Sequence, residues 1–420
     1  MSKVTQDELR NPSELGLSLE ELIRRGAREL IQKAIEAEVA ELLATYVNVN
    51  TLGGQRLVVR NGYLPEREVL TAVGPVSVRV PKVRDRSGSG VKFNSALVPP
   101  YVRRSQRVSA ALPWLYLKGI SSGDLREALA VLLGDEAQGL SANVVSRLKA
   151  AWAQEYRVWS SRDLTDQRYV YWWADGIHTG GREEDDPKAC LLVIIGVRLD
   201  GAKELVALSD GFRESKESWH DVLRDLKARG LTRGPQLAIG DGALGFWAAL
   251  DDVYTETRHQ RCWFHKTGNV LSSLPKSLQS KAKAELQAIW MAPTRREAYQ
   301  AFDRFLGRYQ AKYPKATAKL IQDREALLAF YDFPAEHWQH LRTTNPIEST
   351  FATVRHRTTR AKNCLSRVTF LALAFKLVQE AEKTWRRIRG ANRIPDLMHG
   401  IVFEDGIPVT DNPPEQVLAA

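Results

Sequence analysis

Four short stretches of this 420-residue chain carry side chains whose types and spacing could do chemistry. WWADGIHTG and AIGDGALGF each deliver an aspartate followed by a glycine, Asp175–Gly176 and Asp241–Gly242, at the end of an apolar run. RCWFHKTGNV sets Cys262 and His265 in a Cys-x-x-His spacing with Lys266 beside them. TTNPIESTFATVRHRTTR places Glu348 just after Asn345 and ahead of Arg355, Arg357 and Arg360. An Asp-Gly pair is most often only a turn. Two such pairs closing strand-like runs shift the balance, because loops leaving strand ends are where open sheets place ligands, and a carboxylate on a rigid strand is well placed to hold a metal. With Glu348 near the start of a helix, two aspartates and a glutamate could converge on two Mg²⁺ ions, which aligns a nucleophile and a leaving oxygen for phosphoryl displacement. Magnesium prefers hard oxygen ligands and keeps room for water and phosphate. With 50 acidic residues in the chain, many such triples exist by chance, so the residue types alone are weak.

The Cys-x-x-His spacing invites a zinc reading, but structural zinc takes about four ligands. The other cysteines, Cys190 and Cys364, have no paired spacing, and His337 and His340 in EHWQH offer nothing specific. The alternative is that HQRCWFHKTGNVL runs from a strand into a helix, with Cys262 packed as a small hydrophobe. His265 then either contacts a phosphate, steers a carboxylate or is simply a satisfied histidine, and Lys266 is a candidate phosphate contact.

The elements that must position these residues can be read from periodicity. SLEELIRRGARELIQKAIEAEVAELLATY opens with Ser18 and Glu21 as a capping box and repeats its apolar positions as an amphipathic helix, either packed on its own domain or used for dimerisation. REVLTAVGPVSVRVPKVRDRSGSGVKF predicts a short hairpin and then a flexible basic loop. WLYLKGISSGDLREALAVLLGD and LSANVVSRLKAAWAQEY predict two helices about a GDEAQG turn, which resembles a helix-turn-helix but is also the form of helical hairpins that bind nothing. From 168 onward RYVYWWAD, KACLLVIIGVRL and KELVALSD read as three strands, SWHDVLRDLKARG as a helix and QLAIGD as a buried strand, which predicts a mixed α/β sheet. Asp241 and Glu348 are 107 positions apart, too far for a simple connection, and three helical patterns fill the gap. The boundaries that follow are an amphipathic helical region over 1–60, a hairpin and basic loop over 61–110, a helix-turn-helix-like DNA-binding region over 111–160, the first part of a catalytic core over 161–272, a helical insertion over 273–341, the second part of the core with basic helices over 342–394, and an acidic tail over 395–420.

Charge points to a polyanionic partner. The chain is +10 at pH 7, and residues 342–394 hold twelve Lys or Arg against three Glu. Arg355, Arg357 and Arg360 follow Glu348 at near-helical spacing, as phosphate contacts that would position a duplex or as a solvated face. Trp290 and Trp338 suit core packing better than base stacking. Three scattered cysteines fit a reducing compartment, and MSKVTQDELR has no signal-peptide character, so the expectation is a cytoplasmic, nucleoid-associated protein without a membrane span.

WWADGIHTG, AIGDGALGFWAAL, RHQRCWFHKTGNVL, FYDFPAEHWQHLRTTNPIESTFATVRHRT and LSRVTFLALAFKLVQEAEKTWRR together resemble the mutator-type family of bacterial insertion-sequence transposases, in the family's order and over most of the chain. The resemblance implies a ribonuclease-H-like core interrupted by an all-α insertion, with an Asp–Asp–Glu triad falling on Asp175, Asp241 and Glu348 and a Cys-x-x-His signature between the second and third acids. It implies Mg²⁺, with Mn²⁺ as substitute and two ions in all, double-stranded DNA as both terminal inverted repeats and target, and hydrolysis at element ends followed by joining of the 3′-hydroxyl to target DNA. A homodimer or larger assembly follows by functional analogy, since two DNA ends must meet. The competing classes are a DNA-binding regulator on the same scaffold, a nuclease that cuts without joining, and a zinc-dependent binding module.

Overall fold

The computed structural model describes residues 18–117 apart from 52, residues 130, 131 and 133, residues 142–178, residues 189–360 apart from 213 and 243, and residues 366–409. It divides into two compact units, Met1–Leu148 and Lys149–Ala420.

In the first unit, helix α1 (Leu19–Thr45) starts at Ser18, whose hydroxyl accepts from the Glu21 amide while the Glu21 carboxylate accepts from the Ser18 amide. This reciprocal cap is the one the sequence predicts. The helix buries Ile35 and Val39 against two antiparallel strand pairs, β1 (Val58–Tyr63) with β4 (Pro81–Asp85) and β2 (Arg67–Thr71) with β3 (Gly74–Val78). The expected hairpin is β2–β3, and Gly74 at its turn has φ +102°, a conformation that favours glycine. The segment expected to be a loop instead begins as β4, where buried Val83 lies between exposed Lys82 and Arg84. One apolar residue between two cations is too short an alternation to announce a strand. Helix α2 (Gln106–Leu117) follows. The turn and most of the first helix of the expected helix-turn-helix lie outside the described residues; α3 (Ala142–Ser160) covers its second helix.

The second unit is built on a five-stranded mixed sheet in the order β7-β6-β5-β8-β9, comprising β5 (Tyr169–His178), β6 (Ala189–Arg198), β7 (Lys203–Phe212), β8 (Leu237–Gly240) and β9 (Arg258–Arg261). β5, β6 and β7 are antiparallel neighbours, whereas β8 pairs parallel with both β5 and β9. The central strands are near-continuous apolar runs because both faces are covered. On one face Trp172, Leu192 and Ile194 pack with Trp219 and Leu223 of α4 (Lys216–Ala228) and Phe246 and Leu250 of α5 (Leu244–Val253). On the other, the Tyr171 hydroxyl meets His337 Nδ1 at 2.7 Å and Trp173 Nε1 donates to the His340 carbonyl at 3.0 Å. His337 and His340 are thus bound into the packing of the sheet.

β9 leads at once into α6 (Trp263–Leu271), and only helices and turns occupy residues 276–341, chiefly α7 (Lys276–Trp290), α8 (Arg295–Tyr309) and α9 (Pro314–Ile321), with Leu286, Ile289, Phe302, Phe305 and Leu320 buried among them. The third helical pattern breaks after Ile321 and resumes as the short turn Arg324–Leu328. Trp338 is buried and donates to the Phe333 carbonyl, a packing role. Helices α10 (Asn345–Arg360) and α11 (Arg367–Glu382) follow.

Two expectations are corrected. Asp175–Gly176 is not a turn at a strand end: both residues continue the β5–β6 ladder opposite Val193 and Leu192, because β6 runs on to Cys190 after the parallel neighbour has stopped. Nor is 395 onward simply a tail, since Phe403–Glu404 and Ile407–Pro408 form a small hairpin, Gly406 N donates to the Tyr331 carbonyl and Asp405 Oδ1 accepts from Arg295 N at 2.6 Å. The hairpin has two residues per strand, below any periodicity signal.

Glycine marks where α5 meets the chain entering α4. A Cβ on Gly245 would collide with the backbone of residues 214–216, whereas one on Gly242 would enter open space. Gly245→Ala is therefore expected to lower the unfolding free energy by about 1–3 kcal/mol. Gly242→Ala should stay within about 0.5 kcal/mol. Denaturant titration of the two variants checks the contrast; equal behaviour would remove this packing constraint.

Candidate active site

Register brings the two aspartates together. The last paired residues of the parallel β5–β8 ladder are Ala174 and Gly240, so Asp175 and Asp241 each follow that pair and stand next to each other where β8 ends beside β5, on strands that lie about 4.8 Å apart in such ladders. This is the edge at which open α/β sheets bind ligands. The backbone at Asp241 is fixed by two donors into its carbonyl, Trp247 Nε1 and Arg261 Nη1, each at 2.9 Å, and the Arg261 guanidinium lies over the Trp247 ring.

Asp175 is buried, and its Oδ1 accepts from the Gly176 amide at 2.8 Å. Burial first, and then the charge of Asp241, push its carboxyl up to about 7, the Gly176 hydrogen bond opposing them. Two carboxylates in a site shielded from water disfavour one another's charged form, and a bound cation reverses that. A third carboxylate joins them: oxygens of Asp175, Glu214 and Asp241 lie within 4.8 Å of one another. Glu214 is absent from the sequence-based set. It follows β7 in GFRESKESWH, where only a chain path across the sheet could have revealed it.

Glu348 is held by a chain of contacts through Cys262. β9 ends opposite Gly240, the Cys262 amide donates to the Gly240 carbonyl at 2.8 Å, and Cys262 begins α6. Its buried sulfur is approached at 3.4 Å by both the amide and the hydroxyl of Thr344, and the Trp263 amide donates to the Arg342 carbonyl at 2.9 Å. The Thr344 hydroxyl also lies 3.0 Å from Glu348 Oε1. With one proton to give, it serves the charged acceptor best, leaving the amide for the sulfur. Cys262 thus ties the strand beside Asp241 to the turn that starts α10, on whose first turn Glu348 sits.

His265, in the first turn of α6, stands between the groups. Its Nε2 is 3.8 Å from Glu348 Oε1, and its Nδ1 is buried without a hydrogen-bond partner among the described residues. The Cys262 sulfur, and after it the charges of Asp175 and Asp241, push the ring's pKa up to about 9 against the opposing effect of burial, so imidazolium dominates at neutral pH. Donor atoms of Cys262, His265 and Glu348 lie within 4.8 Å of one another, so Glu348 clusters with these two residues and Glu214 clusters with the two aspartates.

The remaining residues separate from this centre. Lys266 is buried, its ammonium paired with Asp323 and donating to the Lys319 carbonyl at 2.9 Å, and so is engaged within the protein rather than offered to phosphate. Asn345 is exposed at the start of α10. Arg355, Arg357 and Arg360 lie in the later turns of that helix, and their side chains are outside the described residues.

The family model for transposases of the Mutator family matches residues 2–387. The transposase for insertion sequence element IST2 of Acidithiobacillus ferrooxidans is 59% identical over 303 residues, covering 70% of this chain and 100% of that protein. The transposase for IS6120 of Mycolicibacterium smegmatis is 52% identical over 299 residues, covering 71% of this chain and 92% of the relative. The transposase for ISRM5 of Rhizobium meliloti (strain 1021) is 28% identical over 376 residues, covering 89% and 91%.

The tie through Cys262 is testable by itself. Cys262→Ala leaves the buried Thr344 amide without its acceptor and should cost about 1–3 kcal/mol of stability. Cys262→Ser, which keeps an acceptor, should lose less. An unchanged denaturation midpoint in the alanine variant would show that the sulfur does not hold this turn.

Proposed function

This chain belongs to the Mutator family of transposases and is an insertion-sequence transposase, and we propose that it binds the terminal inverted repeats of its element, hydrolyses the DNA at the element ends and joins the freed 3′-hydroxyl to target DNA. The observation that carries this reading is the register of Ala174 against Gly240, which sets Asp175 beside Asp241 at a ligand-binding sheet edge. The antiparallel β5–β6–β7 run followed by two parallel strands supports a ribonuclease-H-like core, and the helices of residues 276–341 support an all-α insertion between the second aspartate and the glutamate.

The residues fit a divalent cation. The donors around Asp175 and Asp241 are hard carboxylate oxygens, as Mg²⁺ or Mn²⁺ requires, and burial of Asp175 next to a second acid calls for a counter-charge. Asp175 and Asp241 would hold the metal and Glu348 would complete the site from the His265 side, with two ions in all. Bound there, the metal supplies Lewis-acid stabilisation of charge on the phosphate and lowers the pKa of water. The protein's own residues orient and shield: Trp247 and Arg261 fix the Asp241 backbone, Thr344 fixes the Glu348 carboxylate, and the His265 imidazolium presents positive charge to an approaching phosphate. In each of the two displacements the attacking oxygen, first of water and then of the freed 3′-hydroxyl, gives its proton to solvent and bonds to phosphorus while the P–O bond opposite it breaks, and the departing 3′-oxygen, of the cut strand and then of the target strand, takes up a proton as it leaves. Asn345, exposed beside Glu348, and the arginines of α10 are proposed to follow the DNA backbone.

DNA binding fits the +10 charge, and a place on the nucleoid in the cytoplasm is proposed from that partner; among the described residues no helix is long and apolar enough to cross a membrane. A homodimer or larger assembly is proposed because two ends must be held at once, and Leu19, Ile23 and Leu30 are exposed on α1.

Incubation of a labelled element end and a target plasmid with Mg²⁺ or Mn²⁺ tests this reading. Asp175→Asn and Asp241→Asn should each lower strand joining by about 10²–10⁴-fold, corresponding to several kcal/mol of charge stabilisation. EDTA should abolish joining and added metal restore it, and raised salt should weaken DNA binding steeply. Joining that survives either substitution would remove the site, and cleavage without joined product would make the chain a nuclease only.

A further inference from the structure

β7 is two strands away from β5, yet the chain leaving it at Phe212 comes back over the sheet edge before α4 begins at Lys216. The crossing is anchored where the Glu214 amide donates to Cys190 Sγ at 3.1 Å, and it passes between β5 and the start of α5. On one side a Cβ on Gly176 would overlap the Glu214 carboxyl group itself; on the other a Cβ on Gly245, four residues after Asp241, would overlap the Glu214 carbonyl and the backbone that follows. The absence of a side chain at both positions leaves a slot, and the Glu214 carboxylate occupies it next to Gly176 and in reach of Asp175 and Asp241. Glu214 holds a left-handed backbone at φ 50°, uncommon for a residue with a side chain. Capping does not account for its position, because Ser215 is the N-cap of α4 and its hydroxyl accepts from the Ser218 amide.

We infer that Glu214 is a further ligand of the divalent metal, held on the aspartate side of the site, so that this centre uses four carboxylates rather than the three implied by resemblance. This rests on the reading of Asp175 and Asp241 as metal ligands. Three carboxylate oxygens within 4.8 Å make a set that an ion can draw together, with positions left for water and phosphate. Glu348 is grouped instead with His265 and Cys262, apart from the three carboxylates of this set.

The test is Mn²⁺ binding by the full-length chain without DNA, followed by isothermal titration and by the electron paramagnetic resonance signal of the free ion. Glu214→Gln should weaken Mn²⁺ by about 10- to 100-fold, while its melting temperature in EDTA stays at the wild-type value. Gly176→Ala alters no ligand but displaces the Glu214 carboxylate; it should weaken Mn²⁺ in the same direction, and the double variant should bind no more weakly than Glu214→Gln alone, since both changes remove one interaction. Glu217→Gln, on the exposed first turn of α4, is the control and should bind as wild type. Wild-type affinity in Glu214→Gln together with loss of binding in Asp175→Asn would overturn the inference and leave the aspartate site standing. Wild-type affinity in Asp175→Asn would overturn the aspartate site itself. Should Glu214→Gln melt early in EDTA, Gly176→Ala decides: unchanged Mn²⁺ affinity there overturns the inference.

Discussion

Two carboxylates held side by side at the edge of an apolar sheet repel one another, and much of the second unit is arranged around that repulsion. Asp175 and Asp241 cannot move apart, because each continues a strand locked to its neighbour up to the Ala174–Gly240 pair. Asp175 cannot be relieved by water, being buried, and its carboxyl is pushed up to about 7. What remains is a counter-charge. His265 supplies part of one, and the cation proposed above would supply the rest.

The surrounding structure converts this edge into a defined geometry. Donors from Trp247 and Arg261 into the Asp241 carbonyl hold one aspartate, and the β6 ladder holds the other. The third acid arrives from far along the chain, after helices that contribute no strand, and its placement depends on a few short contacts: the Cys262 amide on Gly240, Thr344 on the sulfur, and Thr344 on Glu348. The Cys-x-x-His spacing therefore has a structural reading in which Cys262 ties two segments and His265 faces the acids. The donor types divide accordingly, hard oxygens on the aspartate side and a sulfur, an imidazole and one carboxylate on the other.

The strands of the sheet were legible because they are long apolar runs: YVYWWAD and ACLLVIIGVR can be little else, and the cap at Ser18, the strand-to-helix passage at Cys262 and the helices over 276–309 carry equally local signals. Proximity of Asp175 to Asp241 was legible as chemistry but not as geometry, since Asp-Gly reads as a turn and Gly176 instead continues a strand beneath Glu214. Glu214 itself was not legible: its place is set by a crossing over the sheet and two glycines 69 positions apart, none of which alters local periodicity. Lys266 failed for a related reason, its partner Asp323 lying 57 residues downstream in another helix-rich segment. β4 and the hairpin at 403–408 were too short to show alternation, and so looked like loop and tail.

Anomalous scattering from crystals grown with Mn²⁺ measures directly whether a cation sits between the two aspartates. A manganese peak is expected between the carboxylates of Asp175 and Asp241, at ligand distances of about 2.0–2.2 Å for a small divalent cation held by oxygens. A metal found only at Cys262, His265 and Glu348, with none between the two aspartates, would contradict it.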